Sequence, residues 1–284
     1  MDIREQEHFD SISDLMATLH EREKTAYVKK RAKTAASREE RGDRWCRQSL
    51  SDAMTMADNG GADFDTAQKM MEIKELTDAA MDGQIYMPDW TPAMAGFMPN
   101  VPAFCAGEPL TMWAQSEETL KPARVIKIVV VCVPQAGVEA DAMLNQGAAI
   151  LGAIDALERD SNTRVELIGL TPAFSYDHNA LMTVKLKAAG DDWNPASVAF
   201  AIANPAYGRR IGFKWLESLE CYEDLVDNGY GNGRTKKGKS PIDTDIYIPY
   251  MTDDRDYDTP QHAVETVTKM FNKQLKKLES EATQ

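Results

Sequence analysis

The sequence predicts an α/β fold, and three observations carry that prediction. Residues Val125–Val133 read VIKIVVVCV, a short β-branched run suited to a strand buried on both faces. The stretch from Val138 to Arg159 then sets Met143, Ile150, Leu151, Ile154 and Leu157 on one helical stripe. Val165–Leu170, VELIGL, returns as a second strand, so the three segments form a βαβ unit with parallel strands and a right-handed crossover.

The remaining elements follow in chain order. Ile12, Leu15, Met16 and Leu19 recur at helical spacing, and the pattern continues through Tyr27 and Val28 with no Gly or Pro before Gly42, which predicts a long N-terminal helix or arm. Amphipathic stretches from Arg44 to Ala57 and from Asp63 to Met81 end at Asn59-Gly60-Gly61 and Asp82-Gly83, both suitable helix stops. From Met87 to Pro109, five prolines and two glycines stand among apolar and aromatic residues. That composition is too irregular for a helix and too apolar for a solvated linker, and we expect an ordered segment packed across the core surface. LMTVKLKAA, from Leu181, reads as a third strand; Asn194-Pro195 caps a helix running to about Ala203. DIYIPY near Asp245 adds an edge strand, and Thr259-Pro260 starts a last helix with Val264, Val267, Phe271, Leu275 and Leu278 at near-heptad spacing, suited to docking or to oligomerisation. The expected organisation is a helical region with a basic arm over residues 1–84. An α/β core domain over residues 85–284 would then carry a basic loop at 229–240 and the C-terminal helix.

Composition narrows the function classes. The 284 residues are 43% hydrophobic and 27% charged, as in a folded globular chain, and no stretch reaches the length needed to cross a bilayer. With no apolar run behind the first charges, a cytoplasmic protein without a membrane partner is expected. Cys46, Cys105, Cys132 and Cys221 lie far apart and make no C-x-x-C pair, so they are read as small buried hydrophobes rather than zinc ligands or disulfide partners. A net charge of −13 opposes a protein that coats DNA through its overall field. The charge is nevertheless segregated: Arg22 to Arg47 holds ten Lys and Arg against four Asp and Glu, while Asp253, Asp254, Asp256 and Asp258 cluster elsewhere. Segregation of this kind permits local anion binding, with a solvated helix face as the alternative.

Gly233–Ser240, GRTKKGKS, matches the phosphate-loop pattern letter for letter. That chemistry needs a buried strand before the loop and a helix after it, whereas the flanks are a polar, Gly-rich EDLVDNGYGN and a strand-like PIDTDIYIPY. The same residues suit a basic loop in which Tyr230 stacks on a base while Arg234, Lys236, Lys237 and Lys239 follow the phosphate backbone, or else a solvated surface loop. NPAYGRRIGFKWLE brings Tyr207, Arg209, Arg210, Lys214 and Trp215 together, with Trp215 better suited to burial than to stacking. His8, His20, His178 and His262 lack metal-ligand spacing, and no nucleophile or paired-carboxylate motif stands out, so neither catalysis nor a cofactor is expected.

The order VVVCVPQAGV, LNQGAAILGAIDALE and a second strand resembles the opening of a von Willebrand factor A-type domain. In that family the loop after the first strand supplies oxygen ligands to a divalent metal. Cys132, Pro134 and Ala136 occupy the matching positions here and offer no hard oxygen side chain, so the resemblance implies a metal-free scaffold. WTPAMAGFMPNVPAFCAGEPLTMW, the LNQGAAILGAIDALE helix and NPAYGRRIGFKWLE together resemble a domain of phages and other mobile elements, mostly without assigned activity. Among such proteins, size, acidity and the basic loop are similar to the single-stranded-DNA-binding transcription cofactors of schitovirus-type podophages. That resemblance implies a homo-oligomer in the host cytoplasm with little sequence preference, acting with a phage-encoded RNA polymerase. The residues expected to hold single-stranded DNA are Lys29, Lys30, Arg31 and Lys33 in the arm, Tyr230, Arg234, Lys236, Lys237 and Lys239 in the loop, and Arg209 and Arg210. The competing expectations are a protein-interaction scaffold on a von Willebrand A-like core and an NTP-binding protein using GRTKKGKS.

Overall fold

A computed structural model describes residues 5–23, 46, 48–61, 63–81, 90–96, 98–115, 124–135, 137–159, 163–174, 179–192, 194–219 and 239–282. The fold is mixed α/β. Its centre is the predicted βαβ unit: β5 (Arg124–Val131), α5 (Ala140–Glu158) and β6 (Thr163–Phe174), with β5 and β6 parallel in the register Ile128↔Leu167. β7 (Asn179–Lys187) returns antiparallel on β6, with an irregularity between Leu167 and Ile168. β8 (Ile246–Ile248) joins β5 in parallel at one edge.

The opposite edge departs from the sequence reading. The first element among the described residues is a strand, β1 (Glu5–Phe9), laid parallel on β7 with Glu7 beside Met182 and Phe9 beside Val184. The sheet order is therefore β1-β7-β6-β5-β8. EQEHF has no β-branched residue and one apolar residue, so local propensity gave no sign of it; the pairing partner 175 residues later creates the strand.

α1 (Ile12–Glu23) follows, its start held by Ser11, whose Oγ accepts from Asp14 N at 3.0 Å. α2 (Leu50–Asp58) opens with a capping box between Ser49 and Asp52, and α3 (Phe64–Met81) with Asp63, whose Oδ1 accepts from Thr66 N at 3.1 Å. Phe9 and the buried side chains of α1, α3, α5, α6 (Pro195–Ala203) and α8 (Pro260–Ala282) join one apolar cluster with Ile126, Ile128 and Val130 on one face of the sheet. Elements from both residues 1–84 and residues 85–284 thus share a core. α5 is buried nearly all round, and its Gly152 lets α3 come so close that an added Cβ would lie 2.5 Å from Thr77 Cβ. On the other sheet face a smaller cluster unites Val129, Val131, Ile168, Leu170, Leu181 and Tyr247.

Asn194 caps α6 as expected, its side chain accepting from Ala196 N. α8 docks through Val264, Val267 and Phe271, all buried, with Leu275 and Leu278 packed beside them. Gln274 of this helix brackets the edge strand β8: its Oε1 accepts from Tyr247 N at 2.8 Å and its Nε2 donates to Tyr247 O at 3.1 Å. The side chain thereby occupies backbone groups that an exposed edge would offer to another strand.

The described residues of the Pro-rich segment form regular elements, but their packing differs from expectation. β2 (Trp90–Ala93), β3 (Met98–Pro99), α4 (Val101–Cys105) and β4 (Met112–Gln115) form a small antiparallel sheet of order β2-β4-β3 with one short helix. Met94, Met98, Val101 and Phe104 are exposed rather than packed on the core. Cys105 is exposed too, which corrects the expectation that the cysteines are buried; Cys46 and Cys132 are buried, and Cys221 lies outside the described residues.

Candidate nucleic-acid interface

After α6 the chain turns through Asn204 and Pro205 into a π-helix at Tyr207–Gly212, which passes directly into α7 (Phe213–Ser218). The π-helix lies against the carboxyl end of β5. Gly208 permits this, because a Cβ there would meet Val133 Cγ1 at 2.5 Å and Cys132 O at 3.2 Å. A wider turn of this type is uncommon and inserts one residue into the helical phase. Here it divides adjacent side chains: Arg209 is exposed, with its guanidinium 5.0 Å from the centre of the Phe213 ring, whereas Arg210 is fully buried.

Arg210 donates from both Nε and Nη2 to the carbonyl of Gln48, each at 3.2 Å. That carbonyl also accepts from Cys46 Sγ at 3.2 Å, and Gln48 immediately precedes the cap of α2. α7 is tied to the end of α1 in turn. Arg22 Nη1 donates to Ser218 Oγ at 3.0 Å, and Lys214 pairs with Glu23. Trp215 is buried as predicted, and its Nε1 donates at 2.7 Å to Glu7 Oε2, whose carboxylate also receives both terminal nitrogens of Arg22. Glu7 lies on β1, so the network joins β1, α1, the approach to α2, the π-helix and α7 in one corner.

The consequence for the expected DNA-binding residues is specific. Residues 24–45 join Glu23 to Cys46, and both flanks, together with Leu219 from which the chain enters residues 220–238, belong to this corner. Lys29, Lys30, Arg31 and Lys33 in the first segment, and Tyr230, Arg234, Lys236 and Lys237 in the second, lie outside the described residues. Lys239 is exposed at the start of the segment that enters β8. Arg209 is presented to solvent beside the corner; Arg210 is not, and its charge serves packing between the π-helix and the approach to α2. Tyr207, also within the basic-aromatic group, is buried edge-on to Phe200 with ring centres 5.6 Å apart, which removes it as a stacking platform.

The chemistry beside the corner is that of a closed core. Burial pushes the Cys132 thiol up to about 12 and the Tyr207 phenol well above its ordinary value. Cys132 thus lacks the accessible thiolate that a nucleophile or metal ligand requires. Among the described residues no group of three His, Cys, Asp or Glu side chains is placed to hold a metal ion. Nor is a helix found where the phosphate-loop pattern would need one. Residues 239–245 are irregular, and Ser240 Oγ donates to Ile242 O at 2.6 Å while accepting from Ile242 N at 3.2 Å.

Sequence reasoning missed Glu7, Arg22 and Gln48 as the residues that hold the corner together. The one sequence signal was Trp215, since a buried indole N–H calls for an acceptor, though nothing local names Glu7. No helix among the described residues is long and apolar enough to cross a membrane. No curated protein and no solved structure matches the chain. A family model does, over residues 3–277, and it takes in β1, the corner and both flanks of the two basic segments. The chain belongs to DUF7192, a domain family of unknown function.

Proposed function

We propose that the chain binds single-stranded DNA with little sequence preference and serves as a cofactor of a phage-encoded RNA polymerase. The observation that supports the DNA-binding part is the shared corner: both flanks of the basic segment 24–45 are tied to the π-helix and α7, from whose end the chain enters residues 220–238. Two basic segments of a chain with net charge −13 can then act as one local anion-binding surface. Lys and Arg neutralise phosphates while Tyr230 stacks on a base, a combination that every sequence can satisfy. Arg209 adds an exposed cation beside them. The transcription role rests on the similarity of size, acidity and the basic loop to phage transcription cofactors, within the phage and mobile-element domain that the Pro-rich segment, the α5 helix and the π-helix region resemble.

Fluorescence anisotropy with matched single- and double-stranded oligonucleotides, titrated across salt, tests the binding class. Tight, salt-sensitive preference for the single strand is expected. In the variant Lys236→Gln/Lys237→Gln/Lys239→Gln, affinity should fall and the slope of log K against log salt should flatten by about 2, at about 0.7 per lost phosphate contact. An unchanged slope would remove the loop from the interface. No binding by the wild type at low salt would sink the proposal and leave the protein-interaction scaffold in its place.

A further inference from the structure

α8 carries a run of cations in an acidic protein. From Thr266 to Leu278 it holds Lys269, Lys273, Lys276 and Lys277 and no Asp or Glu, in a chain with 45 Asp and Glu against 32 Lys and Arg. Lys269, Lys273 and Lys276 are exposed and follow one another at i, i+4 and i+7, a line of about 10 Å at a helical rise of about 1.5 Å per residue. Val264, Val267 and Phe271 are buried on the opposite side, so a docked helix holds the line in place. Neither helix stability nor ion pairing accounts for the arrangement. Like charges three and four residues apart repel and weaken a helix. Cations gain from the macrodipole within the last turn, and the last turn of α8 has none. Among the described residues none of these three lysines enters an ion pair.

We propose that Lys269, Lys273 and Lys276 form a second phosphate-contact stripe, which holds the backbone of a nucleic-acid strand engaged at the corner. The stripe presupposes the DNA binding proposed above and extends it to the far edge of the sheet. β1 of the corner lies at one edge, whereas Gln274 of α8 brackets β8 at the other, four strand spacings or about 19 Å away. The chain itself runs between the two places, leaving α7 at Leu219 and returning at Lys239 ahead of β8. Residue type and charge select the ligand. Lys is a compact, hydrated point charge that suits phosphate and is depleted from protein–protein interfaces. A flat anionic bilayer would also meet the acid of a chain with net charge −13, and the apolar side of α8 is docked and has nothing to insert. A nucleic-acid strand is narrow enough to follow the lysines alone. Contacts of this kind position the backbone without reading sequence.

Anisotropy of the full chain with a long single-stranded oligonucleotide across salt, paired with acetylation footprinting of the lysines, provides the test. Lys269→Gln/Lys273→Gln/Lys276→Gln should lower affinity about tenfold at low salt and flatten the slope of log K against log salt by about 2, at about 0.7 per lost contact. Its thermal midpoint should stay unchanged or rise as repulsion along the helix is relieved, where a structural role would lower it. In wild type, bound oligonucleotide should protect the three lysines from acetylation and leave Lys69, exposed on α3, reactive. A variant that matches wild type in slope and affinity overturns the stripe while DNA binding at the corner stands. So does a footprint in which the three lysines remain as reactive as Lys69, or one in which phosphatidylserine vesicles protect them and oligonucleotide does not. Wild type that binds no oligonucleotide at low salt overturns the stripe and the corner together.

Discussion

Arg209 and Arg210 are neighbours in sequence and opposites in role. The charge pattern treats them alike, and only the π-helix, which turns one to solvent and the other inward, separates them. Arg210→Ala leaves the Gln48 carbonyl without both guanidinium donors and opens a void, so we expect a loss of about 2–3 kcal/mol in chemical denaturation. Arg209→Ala should change stability by no more than about 0.5 kcal/mol while weakening single-stranded DNA binding. Equal stability effects in the two variants would contradict the burial difference. Residue types were legible throughout this region; apart from the burial of Trp215, which of them met solvent was not, because that depends on helical phase and one inserted residue shifts it.

At the level of elements, the segments readable in advance were those with strong internal periodicity. β5, α5, β6, α6 and α8 lie close to where apolar pattern and caps predict them, since a buried strand needs a β-branched run and a docked helix needs a stripe. β1 and the π-helix were not readable. EQEHF becomes a strand by pairing with β7, and the π-helix arises where YGRRIG must lie flat on the end of β5. Gly208 is the residue through which that packing is made. In Gly208→Ala the new methyl meets Val133 Cγ1 at 2.5 Å and must displace it. We expect destabilisation of about 1–3 kcal/mol by overpacking, measured as a lower denaturation midpoint with unchanged m-value. An unaltered midpoint would mean that the π-helix is not seated on Val133. The small sheet gives the complementary lesson. Its composition identified an ordered apolar segment, but side chains expected to face the core face outward instead.

For the whole molecule, the charge distribution outweighs the average. A net charge of −13 read alone opposes a protein that coats DNA through its overall field, yet both flanks of the basic segment 24–45 and the start of residues 220–238 meet at one corner, where we propose that phosphate is held locally. Ligand linkage measures this directly. Single-stranded oligonucleotide at 100 times its Kd should stabilise the fold by about 2.7 kcal/mol. At roughly 2–4 °C per kcal/mol for a chain approaching this size, that raises Tm by about 5 °C or more. A matched duplex at the same salt should do much less. Equal shifts with both would point to nonspecific polyanion binding, and no shift with either would leave the corner without its proposed ligand.

Sequence alone determined the α/β class, the βαβ centre, the two capped helices and the segregation of basic from acidic residues, because each depends on local periodicity, capping chemistry or composition. Tertiary structure decided that a polar pentapeptide is an edge strand, that Glu7 binds Trp215 and Arg22, and that Arg210 is a buried brace rather than a surface cation. It also decided that Met94, Met98, Val101 and Phe104 of the Pro-rich segment are exposed. Each of these depends on partners far away along the chain, and a contact made at long range leaves no periodic trace in the residues that make it.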